Sequence, residues 1–115
     1  SKLHSPIDVN KIVCDEIPNN CAYPRLHEAV MNYMIHGPCG AANRTSPYMR
    51  NDKCYKLFPK KVVGHTTVDD DGYVAYRRRD DGRTILKNGV PLDNRFVVPY
   101  SPVLLLKYQA HINIE

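Results

Sequence analysis

A chain of 115 residues is long enough for one compact core and too short for a second. No apolar run approaches the roughly 18 residues that read as a membrane span, and no leader-like pattern opens the chain, which predicts a soluble intracellular protein, nuclear or cytoplasmic, without membrane contact. The net charge of +4 is uneven: residues 1–43 hold three Lys/Arg against four Asp/Glu, and residues 44–115 hold thirteen against eight, so a polyanion would dock on the second part.

Ser5-Pro6-Ile7-Asp8, followed by Val9, Ile12 and Val13, predicts a short helix stopped by Pro18. After a loop over Asn19 to Pro24, Pro24 suits the first position of a second helix, with Leu26, Val30, Tyr33 and Met34 on one face. His36-Gly37-Pro38 is expected to end it. From Cys39 to Pro59 neither helical nor strand period persists, and an irregular stretch of that length needs an anchor such as a metal, a ligand or a partner.

Beyond it the pattern predicts short strands at Val62-Val63, Tyr73 to Arg79, Thr84 to Lys87 and Arg95 to Val98. They are separated by Asp71-Gly72, Asp81-Gly82 and the strong hairpin signal Asn88-Gly89. Ser101-Pro102 can open a helical turn through Tyr108, although Val103 to Leu106 would equally suit a buried strand, and the alternation His111 to Glu115 predicts a final strand. The expected fold is therefore α+β in one domain, 1–115. It comprises a helical part (1–36), an irregular basic loop that zinc could link (37–61), and an antiparallel sheet of short strands (62–115).

Cys14, Cys21, Cys39 and Cys54 read as reduced thiols or metal ligands, because nothing points to an oxidising compartment. His36-x-x-Cys39, with Cys54 fifteen residues on, is half of a tetrahedral zinc site; the alternative is two small buried thiols and a histidine at a helix C-terminus. Arg77 and Arg79 share a strand face, and Lys53, Lys56, Lys60 and Lys61 interleave with Tyr55 and Phe58, a composition suited to backbone contact and base stacking on single strands. Asp80, Asp81 and Asp69 to Asp71 could instead neutralise the arginines across a hairpin.

Four runs, taken in order, carry a resemblance. They are His36-Gly37-Pro38-Cys39-Gly40, Cys54-Tyr55-Lys56-Leu57-Phe58-Pro59-Lys60, and Asp71-Gly72-Tyr73 leading to Tyr76-Arg77-Arg78-Arg79. The fourth is Asp93-Asn94-Arg95-Phe96-Val97-Val98-Pro99-Tyr100 with His111-Ile112-Asn113-Ile114-Glu115. Together they resemble the replication-initiator region of Helitron-type rolling-circle transposase-helicases.

The resemblance implies a segment between the His-hydrophobe-His motif and the catalytic tyrosines. It further implies single-stranded DNA as partner, and flanking nuclease and helicase domains. It also implies a His-x2-Cys-x8-Cys-x5-Cys metal pattern, from which this sequence departs by placing Tyr48 at the third ligand position. No His-x-His pair and no phosphate-loop motif occurs, so no enzymatic activity is expected of the chain alone. The expected role is a DNA-binding structural segment through Lys53, Lys56, Phe58, Lys60, Lys61, Arg77 and Arg79, with His36, Cys39 and Cys54 for the metal. Two alternatives remain open: a stand-alone, domesticated module that binds a protein partner, and an incomplete metal-dependent nuclease.

Overall fold

The computed structural model of the protein describes residues 13–39 and 43–114. Within them the architecture is α+β, with two helices and three small antiparallel hairpins. The helix expected after Ser5 falls mostly on residues 1–12, outside the described residues; its last stretch, 13–18, is not helical, and Cys14 forms an antiparallel bridge with Tyr100.

Helix α1 (Pro24–Tyr33) starts where proline's fixed φ is already helical and no N–H is needed. It buries Ala29 and Val30 and half-buries Leu26, whereas Tyr33 stays exposed. It stops before the expected His36-Gly37-Pro38 because the next residues turn into backbone pairing: Ile35 bridges Val97, and the Val98 N–H donates to the Met34 carbonyl at 2.8 Å.

The run 93–100 is the hub of the molecule. The Asn94 side chain accepts from the Ile17 N–H at 2.7 Å and donates to the Arg79 carbonyl at 2.8 Å. Phe96 O accepts from His36 N–H (2.9 Å), Arg95 O from Lys60 N–H (2.8 Å), and the Cys14 and Tyr100 backbones exchange two bonds. Residues 95–98 are thus not the strand the pattern suggested. Asp93 caps a short 3₁₀ turn, Asn94–Phe96, by accepting from the Arg95 N–H, and only Val97 enters a bridge.

Three hairpins replace a continuous sheet, each with its own two strands. β1 (Met49–Arg50) pairs with β2 (Lys53–Cys54), β3 (Thr67–Val68) with β4 (Val74–Ala75), and β5 (Ile85–Lys87) with β6 (Val90–Leu92). Asn88 and Gly89, at φ 53° and 79°, make the β5–β6 turn as Asn-Gly predicts. Asn51 and Asp52, at φ 51° and 65°, do the same for β1–β2 inside the segment expected to be irregular.

Helix α2 (Pro102–Ile114) bears out the helical turn that Ser101-Pro102 was expected to open and carries it on through the residues from His111 that were expected to form a strand. Ser101 Oγ accepts from the Leu104 N–H, Pro102 starts the helix, and Leu105 and Gln109, one turn apart, are both buried. Gln109 Nε2 donates to Glu28 Oε2 of α1 at 3.0 Å, and Tyr108 meets Tyr33 edge-on. No helix among the described residues is long and apolar enough to cross a membrane.

Two apolar clusters meet at Ile35. One packs α1 and Leu105 of α2 with Ile17, Ile85, Val97 and Tyr100. The other holds Cys39, Cys54, Phe58, Leu92 and Phe96, so two of its five buried members are thiols.

Candidate metal centre and basic surface

His36, Cys39 and Cys54 are all buried, and one ligand atom from each lies within 4.8 Å of the others. Each arrives by a different local device. The His36 backbone is fixed by Phe96, Cys39 directly follows Pro38 and lies three residues on from His36, and Cys54 stands opposite Met49 in the tight β1–β2 hairpin. Cys54 Sγ is 3.5 Å from His36 Nε2. Tetrahedral zinc with ordinary Zn–S and Zn–N lengths separates two such ligands by about 3.6 Å. The donor set and its spacing can therefore hold a metal ion.

The sulfur of Cys54 sits in a nest of backbone amides. Burial alone would push its thiol up, but the N–H of Phe58, the Cys39 thiol, and the N–H groups of Lys56 and Leu57 outweigh that and hold it below its ordinary value. The chain reaches this geometry by placing Leu57 at φ 64°, a left-handed conformation costly for a branched side chain. His36 is also held below its ordinary value, by burial first and then by Lys56 and Lys60, which favours the neutral imidazole a metal requires.

Cys14, Cys21 and His65 do not complete the set; the cluster among the described residues is His36, Cys39 and Cys54 alone. Around its open side, Ser46 Oγ and Met49 Sδ lie 3.5 Å and 3.7 Å from Cys39 Sγ. Tyr48 packs its ring 4.7 Å from that of His36.

Phe58 stacks on His36 at 4.4 Å and 11° and is 9% exposed, with Lys60 Nζ over its ring, so it walls the metal site and cannot serve as a base-stacking platform. Of the two aromatics interleaved with the lysines, Tyr55 is the exposed one, at 54%, with Arg50 over its ring. Lys53, Lys56 and Lys61 are exposed and Lys60 is half-buried, with Lys56 Nζ over Tyr48.

The strand expected from Tyr73 to Arg79 is confined to β4, Val74–Ala75; Arg77 and Arg79 flank the isolated Val63–Arg78 bridge beyond it, and both guanidinium groups engage Glu16 rather than any aspartate near them in sequence. Arg78 points the other way, into the core, donating to Asp15 at 2.7 Å and to the carbonyls of Asn94 and Val97. Glu16 and Asp15 were missed in the sequence because both precede their partners by more than sixty positions and lie in a stretch that read as the end of a helix. No known family model matches the sequence, and no curated protein matches it.

Proposed function

We propose that the chain is a zinc-stabilised segment that binds single-stranded DNA, carrying no catalysis of its own and belonging to a rolling-circle initiator of the Helitron type. The observation that carries this is the buried His36/Cys39/Cys54 donor set lying directly beneath a hairpin whose outer surface presents Arg50, Lys53, Lys56 and Tyr55. A metal beneath would fix the hairpin, and a rigid basic-aromatic surface loses less entropy on gripping a flexible strand. The family assignment rests on the resemblance of the four sequence runs, two of which supply the metal ligands and a third the hub at 93–100.

Zinc is the metal best matched to thiolate and imidazole donors in this spacing. Fluorescence anisotropy with an oligothymidylate, with zinc present and after chelation, is the test. Salt-sensitive binding that weakens on chelation is expected, and salt-insensitive or absent binding would sink the proposal.

One further observation favours a second reading. Leu104 and Tyr108 of α2 and Tyr33 of α1 form an exposed apolar patch, suited to a protein partner such as a flanking nuclease or helicase domain.

A further inference from the structure

A cavity of about 440 Å³ opens between residues 14–19, the arm from Arg77 to Arg83, and the first turns of α1 and α2. Three guanidinium groups, Arg77, Arg79 and Arg83, line it against one carboxylate, Glu16. That carboxylate is only 5% exposed, so a ligand entering from solvent meets the cations first.

The donors are not exhausted. Arg79 gives Nε and Nη2 to Glu16, Arg77 gives Nη2, and Arg83 gives Nη1 to the Ile17 carbonyl at 3.2 Å, with only a loose 3.8 Å approach to Asp81. Each guanidinium has five N–H groups, so every one keeps hydrogens for an oxygen-rich anion. Glu16 meanwhile holds Arg77 and Arg79 in place, which reduces the rotamer freedom a ligand must quench.

Beside the arginines the wall becomes planar and apolar. Tyr23 is 61% exposed and lines both this cavity and an adjoining one of about 310 Å³, while Arg83 and Pro18 lead into a third of about 360 Å³. An anion alone would use only the arginines. A phosphate joined to a flat ring would use the whole trough, whose volume is in the range of small-ligand sites.

We infer that this trough binds one nucleotide unit, with its phosphate on Arg79 and Arg83 and its base against Tyr23. The inference deepens the DNA-binding reading by naming a second contact on the strand, separate from the metal-backed hairpin.

The test is to titrate the chain of residues 1–115 with thymidine monophosphate, thymidine and inorganic phosphate while recording amide and side-chain NMR signals. Saturable shifts at Tyr23 and Arg83 are expected with the nucleotide, with thymidine and phosphate each about tenfold weaker. Arg83→Gln and Tyr23→Ala, both changes of exposed side chains, should each weaken the nucleotide about tenfold while leaving the remaining spectrum folded.

No saturation by about 10 mM nucleotide, phosphate binding as well as the nucleotide, or unchanged affinity in Arg83→Gln would each overturn the inference. A chain with Lys53, Lys56 and Lys61 replaced by alanine should bind the nucleotide normally. Nucleotide binding without binding of longer strands would sink the DNA reading and leave the trough, and the reverse result would sink the trough alone.

Discussion

Arg79 grips Glu16 through three donors, its backbone N–H at 2.8 Å, Nε at 2.9 Å and Nη2 at 2.8 Å, tying together positions 63 residues apart. Arg77 Nη2 adds a fourth bond at 3.1 Å to the same carboxylate. Glu16→Gln keeps the shape but removes the charge and turns an N–H₂ group toward guanidinium donors. A loss of about 2–4 kcal/mol in urea unfolding at neutral pH is expected. Arg77→Ala, whose side chain is 37% exposed, should cost no more than about 1 kcal/mol. Equal losses for the two variants would mean that Glu16 is not the organising member.

Asp15, beside Glu16, responds to pH in the opposite sense. Burial pushes its carboxyl from 3.8 up to about 6 despite Arg78 at 2.7 Å, and one of its oxygens, Oδ1, has no hydrogen-bond partner. The folded chain therefore holds this proton more tightly than the unfolded chain. Its contribution to stability falls as pH rises from 3.8 to about 6 and stays low above that.

For Glu16 burial alone would raise the value, but Arg79 and Arg77 hold it below 4.5, so its contribution is full above that value and is lost as pH falls through the lowered one. His36, held low, adds a rising slope of its own up to its ordinary 6.5. The wild-type minus Asp15→Asn stability difference isolates Asp15. It should shrink by about 2 kcal/mol between pH 4 and 6, and a flat difference would show that Asp15 titrates normally.

Zinc binding should be measurable by elemental analysis and by melting. At free zinc a hundredfold above Kd, linkage stabilises the folded chain by about 2.7 kcal/mol, which chelation removes. Cys54→Ser and Cys39→Ser should each abolish this gain. Tyr48→Cys places a third thiol, and so a fourth ligand, beside His36, whose ring Tyr48 already touches, and should tighten binding further. Absence of metal in both the wild type and Tyr48→Cys would reduce the cluster to a packing feature.

Leu57 is 71% exposed and sits at φ 64°, so its side chain contributes little packing while its backbone is strained. Leu57→Gly removes the steric cost of the left-handed conformation at the price of a more flexible unfolded chain. A net gain of roughly 0.5–1 kcal/mol is expected, with the metal site retained, and Leu57→Val should lose stability. If glycine destabilises by more than about 1 kcal/mol, Leu57 makes a contribution that its exposure does not reveal.

What the sequence disclosed followed from local chemistry. Pro24 opening α1, Asn88-Gly89 turning a hairpin, and the clustering of His36, Cys39 and Cys54 each depend on residues whose backbone or ligand preferences are strong in isolation. The Asn51-Asp52 turn went unread, because the flanking strands are only two residues long and leave no period to detect. The alternation of His111 to Glu115 suggested a strand. It lost to the Ser101-Pro102 start and to the one-turn spacing of Leu105 and Gln109 against α1, which only the tertiary fold rewards. The hub at Asn94 and the Glu16 clamp were illegible for a different reason: they are non-local hydrogen bonds, and no periodicity encodes them.

Binding of single-stranded DNA should depend on the lysines of the metal-backed hairpin and the loop that follows it more than on the arginine arm. Arg77 and Arg79 already share Glu16, whereas Lys53, Lys56 and Lys61 are exposed. Each phosphate neutralised lowers the slope of log affinity against log salt by about 0.7 for single strands. Replacing Lys53, Lys56 and Lys61 together by alanine should flatten the slope by roughly two units and weaken binding at low salt most.

Tyr55→Ala, by contrast, should weaken affinity by about 1–3 kcal/mol with the slope unchanged, because stacking releases no counterions. Phe58→Ala belongs to a different category: Phe58 is buried against His36, so its loss should lower the melting temperature and zinc affinity before it touches DNA. Anisotropy at four or five salt concentrations, paired with thermal melts of each variant, separates the three effects. If the triple lysine variant keeps both affinity and slope, the hairpin is not the DNA surface, and the exposed patch of Leu104, Tyr108 and Tyr33 becomes the better place to look for a partner.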